Sequence, residues 1–391
     1  MHSLENATAP VSRRACIRLL SGGLLLIGGL TSLGCTRRVS SETGASNAAA
    51  LQHADPRYRW LIDASRAPSP HNMQPWLVDL NEAPDVITLY ADRQRFLPVV
   101  DPKARQSMIG LGAFLELLYL SAQADSYRCE VSLFPQGEML ERPVARINVI
   151  PHSQNVFSDD LYRYVHRRHS NRQVYDSTRL LAQSDLDALT RAATCHGVLT
   201  QGSLQPDTVA RVSARAAAAW VAELHDEALV METLHVTRIG ACEIESFRDG
   251  IAVQGFIPEL MSSVGLFPRD RMPDKNSVIM QNMSAMGEAQ ANSAAAWVWV
   301  TTEGNDRSQQ VAAGRAYVRL HLAAARLNVA LHPMSQALEP YSPHYQGLYE
   351  DLAVLRESRT IQMIARLGYT AAETEPPSLR RSVDSFLTES T

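Results

Sequence analysis

The chain has 391 residues, of which 45% are hydrophobic and 20% charged, a mixture that builds one large globular domain or two ordinary ones and excludes disorder throughout. Its formal net charge of −4 becomes −6 when residues 1–35, with three Arg and one Glu, are set aside, so no basic surface for nucleic acid is indicated. Of five cysteines, Cys16 and Cys35 lie near the N-terminus, and the spacing of Cys129, Cys195 and Cys242 fits neither a disulfide framework nor a paired-cysteine metal site.

Ser12-Arg13-Arg14-Ala15-Cys16-Ile17-Arg18 precedes an uncharged run over residues 19–36 that holds five glycines. The combination resembles a twin-arginine signal peptide, with Cys16 a departure where that pattern prefers an aromatic or aliphatic residue. The resemblance implies export of a folded, cofactor-loaded protein by the twin-arginine machinery, and a periplasmic location. Gly34-Cys35 resembles a lipoprotein cleavage site, although Ser32 stands where that pattern has Leu. Cys35 is therefore a candidate tether to the membrane. Residues 36–54, rich in Ser, Thr, Ala and Asn without apolar periodicity, are expected to form a flexible linker.

A helix is expected over residues 56–67, with Asp55 as N-cap and Pro56 at the first helical position. Pro68 and Pro70 stop it, and residues 76–80 suggest a strand. Between them Ser-Arg-Ala-Pro-Ser-Pro-His-Asn-Met-Gln-Pro-Trp, residues 65–76, makes a turn pinned between two rigid elements. The amides of Asn72 and Gln74 and the hydroxyl of Ser69 either serve the edge of a flat heterocycle or satisfy nearby backbone.

The wording Ala-Pro-Ser-x-x-Asn-x-Gln-Pro-Trp closely resembles the flavin-contacting segment of the FMN-dependent nitroreductase family. Membership implies an α+β, three-layer α/β/α fold, usually a homodimer, with FMN at the subunit interface. Hydride would pass from NAD(P)H through the flavin to a small-molecule electron acceptor. Pro68, Ser69, Asn72 and Gln74 are then candidate flavin contacts.

Residues 86–91 read as a second strand, and Asp101-Pro102 repeats the cap-then-proline start. A helix is expected from there to about residue 125, apolar nearly all round and hence buried. Strands are expected over residues 129–134 and 144–150. A comparable helix begins near Asp306, where Gly314, Leu320, Leu322 and Ala324 lie 202 positions after Gly112, Leu118, Leu120 and Ala122. Each helix leads to a short strand, and each later strand carries an Ala-Arg-aliphatic triplet, Ala145-Arg146-Ile147 and Ala365-Arg366-Leu367. Two tandem copies forming a pseudo-dimer are expected, over residues 55–155 and 156–391. The alternative is one elaborated domain with a coincidental repeat.

Between them lies His166-Arg167-Arg168-His169-Ser170-Asn171-Arg172. In an extended segment Arg168, Ser170 and Arg172 share a side and make a phosphate clamp; the alternative is a solvated basic face. Arg-x-Ser-x-Arg resembles the opening of a nitroreductase chain, where it binds FMN phosphate. By the same resemblance Pro333, Met334 and Ser335 would bring backbone against the flavin ring, and Arg380 and Arg381 would add to the phosphate site. Residues 207–236 look helical. From 243 to 292 the pattern loosens into an expected mobile or irregular excursion, whose methionines suit either adaptable packing over a ligand or core filling.

No dinucleotide fingerprint, helical zinc-protease motif or nucleophile elbow is present. No side chain is assigned a catalytic acid, base or metal-ligand role, as expected where a flavin carries the electron chemistry. The sequence therefore points to an exported FMN-dependent oxidoreductase that reduces nitroaromatic, quinone or similar electrophiles. NAD(P)H or another reductant would be its donor. The competing reading is a non-catalytic FMN-binding protein whose residues 243–292 close the substrate side. The first copy keeps the Pro68-to-Trp76 loop but has no clamp before it. The second keeps the clamp, but after its first helix reads Thr194-Cys195-His196-Gly197-Val198. One complete site, one FMN per chain and a monomer are expected.

Overall fold

A computed structural model describes residues 47–152, 159–263, 269–352, 359–370 and 378–389. The signal segment, Cys35, most of the linker and Pro376-Pro377 lie outside the described residues.

Helices α1 (Ala48–Gln52) and α2 (Arg57–Ser65) lead through a 3-10 turn (Pro70–Asn72) to strands β1 (Trp76–Asp79) and β2 (Val86–Ala91). Helix α3 (Arg105–Ala124), β3 (Tyr127–Leu133) and β4 (Ala145–Pro151) follow. After a second 3-10 turn (Asp160–Tyr164) come α4 (Gln183–Ala193) and β5 (Leu199–Ser203). A long excursion then holds α5 (Pro206–Leu224), α6 (Glu227–His235), β6 (Thr237–Ile239), α7 (Gly240–Phe247), β7 (Ile251–Val253), α8 (Phe256–Ser263) and α9 (Val278–Asn292). The chain continues with β8 (Ala296–Thr302), α10 (Arg307–Leu327), β9 (Ala330–Pro333), α11 (Tyr345–Asp351) and β10 (Thr360–Gly368), and a 3-10 turn (Val383–Phe386).

The helix starts follow from their caps. Asp55 Oδ1 accepts from Arg57 N at 2.9 Å, and Asp306 with Gln309 forms a full capping box at the start of α10, each satisfying otherwise orphaned amides. Helix α3 begins three residues after Pro102, because Ala104 takes a left-handed φ of 53°. The buried Asp101 carboxylate reaches forward instead, to Gln106 N (3.1 Å), Ser107 N (2.8 Å) and Ser107 Oγ (2.9 Å).

Two antiparallel four-stranded sheets have the orders β1-β2-β4-β3 and β5-β8-β10-β9. Matched strand for strand, the two orders are the same. In β4, Ala145 pairs with Leu89 and Leu133; in β10, Ala365 pairs with Val298 and Pro333. The two Ala-Arg-aliphatic triplets thus occupy corresponding positions in the two sheets.

Helices α3 and α10 cross at the centre of the largest core, each contributing buried apolar residues along most of its length. Helix α3 is long and apolar enough to cross a membrane, but its burial inside the protein makes it a core helix. On the outer face of the second sheet, Trp297, Trp299, Ile361 and Ile364 pack with Val212, Ala216 and Ala219 of α5 and Ala291 of α9, completing an α/β/α sandwich. The outer face of the first sheet instead carries the charged pairs Arg146–Glu82 and Arg128–Glu130.

Three expectations need correction. The described end of the linker is docked, with Ala50 buried and Asn47 Oδ1 accepting from Val383 N at 3.0 Å. Residues 207–236 form two helices, because Asp226 caps a new one through Ala228 N and Leu229 N. The stretch from 243 to 292 is largely helical among its described residues. Its signal was weak because α9 packs through small residues: a Cβ on Gly287 would lie 2.2 Å from Trp220 Cδ1.

Candidate functional site

The 65–76 loop is a strained turn. Asn72 N bonds Ser69 O (3.1 Å), Met73 N bonds Pro70 O (2.9 Å), and Ser69 Oγ accepts from Gln74 N (2.9 Å). His71, Asn72 and Gln74 all take left-handed φ values, 44°, 56° and 54°, a region that non-glycine residues enter at a cost. Helix α3 supports the loop from below, since a Cβ on Gly110 would lie 3.3 Å from Ser69 Cβ.

The loop does not present its amides equally. Gln74 is fully buried, and its amide is consumed by the chain: Nε2 donates to Arg248 O (2.8 Å) and Asn72 O (3.2 Å), and Oε1 accepts from Arg381 N (2.9 Å). Asn72 Nδ2 donates to Leu379 O (3.3 Å), while its Oδ1 is buried without a partner among the described residues. Asn72 therefore keeps an acceptor for a ligand; Gln74 holds the loop's shape.

Three buried arginines converge behind the loop. Arg168 Nη2 (3.0 Å) and Arg380 Nη2 (3.3 Å) both donate to Arg66 O. Arg380 also reaches Ser65 O (2.8 Å) and Ala67 O (3.2 Å). Among the described residues none of the three forms an ion pair. Arg66 Nε and Arg168 Nε and Nη1 are buried donors with no partner there. Burial, then the charge of Arg66, lowers the Arg168 pKa to about 9. Burial also lowers Arg66, against the attraction of Asp63, and burial with the charges of Arg66 and Arg168 lowers Arg380 strongly. Unpaired buried cations are costly, and an anion supplying several acceptor oxygens would offset that cost. The cluster fits a phosphate group.

Arg66 directly precedes the Ala-Pro-Ser motif, within the 65–76 stretch, yet sequence reasoning assigned it no role. Its signal was a cation at the end of α2, next to the turn. The other predicted residues divide. Arg172 is exposed and acts electrostatically on His71 and His332. Ser170 is half-buried between buried Arg168 and exposed Arg172, in a stretch that is neither helix nor strand. Arg381 is a structural anchor from the C-terminal segment, donating to Gln74 O (2.8 Å) and Ser385 O (3.2 Å). Pro333 ends β9, and Met334 is buried in the core beneath the second sheet's outer face. Ser335 Oγ lies 3.9 Å from Met363 Sδ.

Several polar groups that the sequence did not single out line the same region. Tyr317 OH and His321 Nε2, one turn apart on α10, are buried and unpartnered among the described residues, as is His169 Nε2. Tyr317 and His321 both interact electrostatically with Arg168. Burial, then Arg172, lowers the His71 pKa to about 4. Burial and neighbouring cations hold His321 and His332 far below the usual imidazole range.

Residues 194–198, where the tandem-copy expectation puts a second loop, meet an ion cluster through His196. Glu116 of α3, fully buried, bonds Arg315 (2.6 Å) and Arg319 (2.8 Å) of α10 and lies 3.3 Å from His196. Arg319 also pairs with Asp159. Here the cations are neutralised by the protein's own carboxylates.

The α7–β7 corner straps the first loop. Gly250 N bonds Asn72 O (3.3 Å), Arg248 Nε bonds Arg380 O (2.8 Å), and Asp249 pairs with Arg95 (2.7 Å) and Arg238 (2.8 Å). Arg248 takes a left-handed φ of 56°, and its Nη2 is buried without a partner among the described residues. No group of metal-ligating side chains occurs among the described residues.

No protein-family model matches the chain. Two Mycobacterium tuberculosis proteins described as uncharacterized, one of them Rv3127, are each 35% identical to it over 78 residues. The match spans 19% of this chain and 23% of each relative's length. Among solved structures, the chain is similar to the FMN-dependent nitroreductase NfnB from Mycobacterium smegmatis in complex with NADPH, at 13% identity and a TM-score of 0.37, covering 59% of this chain and 97% of that one. Nitroreductases with bound FMN from Desulfitobacterium hafniense and Bacteroides fragilis are similar at 12% and 14% identity, each with a TM-score of 0.35. They cover 60% and 57% of this chain, and 99% and 97% of their own.

Proposed function

We propose that this chain binds one FMN and acts as a nitroreductase-type oxidoreductase, its two halves forming a single-chain pseudo-dimer. The observation that carries the proposal is the buried, uncompensated Arg66–Arg168–Arg380 cluster, set beside the strained loop whose sequence resembles a flavin-contacting segment. Arg66 and Arg168 would hold the phosphate with their free N–H groups, and Arg172 would add long-range attraction. Asn72 Oδ1 would accept from an N–H of the ring edge. The strained turn and the Gln74–Arg381 bonds fix that acceptor before a ligand arrives.

When bound, FMN supplies two-electron transfer from a reductant such as NAD(P)H to a nitroaromatic, quinone or similar electrophile. The chain's own contribution is to bind, orient and exclude water. Burial and neighbouring cations disfavour the charged forms of His321 and His332. The loop comes from the first half and Arg168, Arg172 and Arg380 from the second, so one chain supplies both sides. The corresponding position is occupied by the Glu116 cluster, which supports one site rather than two. Twin-arginine export, a periplasmic location and a Cys35 anchor belong to the same proposal and are supported by the residues of the N-terminal segment alone.

The strap made by Arg248–Gly250 favours a second reading, an FMN-binding protein without turnover, because it closes one side of the loop with direct hydrogen bonds. Anaerobic addition of NADPH to the purified chain separates the two. A flavin spectrum that bleaches supports the enzyme. One that persists supports the binding protein, and absence of any flavin contradicts both.

A further inference from the structure

We propose that His332 is a donor-only imidazole: Arg366 occupies its Nδ1, fixes its proton on Nε2, and so dedicates Nε2–H to an acceptor atom of the ligand held at the arginine site. The proton's position rests on geometry alone; the identity of the ligand rests on the flavin proposal above.

Arg366 on β10 is fully buried, and every nitrogen of its guanidinium is directed. Nε donates to His332 Nδ1 (3.1 Å), Nη1 to Ser293 Oγ (3.0 Å) and Nη2 to Gln173 O (2.6 Å). The guanidinium carbon sits 3.8 Å from the centroid of the Tyr175 ring. That ring is itself held by a bond from its hydroxyl to Asn171 O (3.0 Å). It also packs so closely on Gly368 that a Cβ there would lie 2.5 Å from Tyr175 Cδ2.

A guanidinium has donors and no acceptor, and in proteins it keeps its proton. The bond from Arg366 can form only if His332 Nδ1 offers a lone pair, and a neutral imidazole with a lone pair on Nδ1 carries its proton on Nε2. The cations acting on His332 are Arg366 of β10 and Arg172 of the loop after the second 3-10 turn, both of which disfavour a second proton. Its titratable neighbour is His321 of α10. No carboxylate among the described residues acts on it.

The pair is specific to the half that holds the arginine site. Arg366 lies opposite His332 in the β10–β9 register, and Arg146 lies opposite Ser132 at the corresponding place in β4–β3. Arg146 turns outward to Glu82. His332 and His71 of the loop both feel the charge of Arg172, so the imidazole stands on the loop's side of the second sheet. A fixed Nε2–H there accepts no proton and receives no donor, so it selects a carbonyl oxygen or an unprotonated ring nitrogen.

Long-range 1H–15N spectra of the labelled chain, with His332 assigned through His332→Gln, test the proton's position. The proton is expected on Nε2 with no titration between about pH 5.5 and 8.5. A proton on Nδ1, or an imidazolium in that range, overturns the proposal. FMN titrations test the donor. His332→Asn, which restores an acceptor for Arg366 but no Nε2 donor, is expected to weaken FMN binding about five- to tenfold, as for one lost hydrogen bond. His332→Gln, whose amide nitrogen can replace Nε2, should stay within about twofold. Equal affinities in both variants overturn the donor role. A wild-type chain with the Nε2–H tautomer that takes up no FMN supports the fixed donor and overturns flavin as its ligand.

Discussion

Gly112 and Gly314 meet each other's helices reciprocally. A Cβ on Gly112 would lie 2.0 Å from Val311 O, and one on Gly314 would lie 1.9 Å from Ile109 O. Both the glycines and the carbonyls they approach are 202 positions apart, so α3 and α10 touch through a locally two-fold contact. Such backbone-to-backbone approach leaves no flexible side chain to give way. Gly112→Ala and Gly314→Ala are therefore each expected to destabilise the chain by about 2–3 kcal/mol or more, measured by urea unfolding. Gly197→Ala, with nothing within 4 Å but a φ of +76°, should cost only about 1 kcal/mol.

The arginine cluster predicts opposite effects on binding and stability. Arg168→Met removes two orphaned donor nitrogens and a buried charge. It should weaken FMN binding at least about tenfold, as expected for a lost charge-assisted bond. The same change should leave the flavin-free chain as stable or more stable, because burying an unpaired cation is unfavourable. Arg66→Gln should weaken binding similarly. Arg167→Ala should change binding little, since Arg167 is exposed and bonds Asn328 Oδ1 at 2.8 Å. Calorimetric FMN titration together with thermal unfolding of the flavin-free variants checks both signs.

Glu116 gives the fold an acid limit. Burial alone would raise its pKa, but His196, Arg315 and Arg319 outweigh burial and bring it to about 2 from 4.5. The folded value is the lower one. The stabilisation is therefore present above about pH 4.5 and is lost as pH falls towards 2, a contribution on the order of 3 kcal/mol. Glu116→Gln should be less stable at pH 7, where Arg315 and Arg319 lose their counter-ion, and its unfolding free energy should fall less steeply below pH 4.5. Urea unfolding at several pH values measures both.

Much of the fold was legible because its signals are local. Asp55, Asp306 and the proline stops mark helix boundaries within a residue or two, and alternation marks β2 to within its observed ends. The α3 start was misplaced because Ala104 adopts a left-handed conformation that an alanine does not advertise. Residues 207–292 were hard to read because their order depends on tertiary packing, as where Gly287 seats Trp220. At the candidate site, the motif marked out the loop but did not tell which of its side chains bond the chain itself and which keep a free polar atom. Gln74 and Arg381 bond each other, with Arg381 Nε left unpartnered among the described residues, and Arg168 bonds the carbonyl of Arg66, which lies just before the motif. His332 and Arg366 come from adjacent strands separated in sequence by α11, beyond the reach of any spacing rule.

The most direct measurement is the ratio of flavin to chain in the purified protein, taken with its mass in solution. Flavin released on denaturation, divided by chain concentration, should give one FMN per chain in a monomer, because the loop and the arginine clamp come from one polypeptide and the corresponding position is closed by Glu116 and its cations. Two flavins per chain, or an obligate dimer that shares its flavin between chains, would contradict the single-chain pseudo-dimer, and a flavin-free chain that FMN cannot load would contradict the site itself.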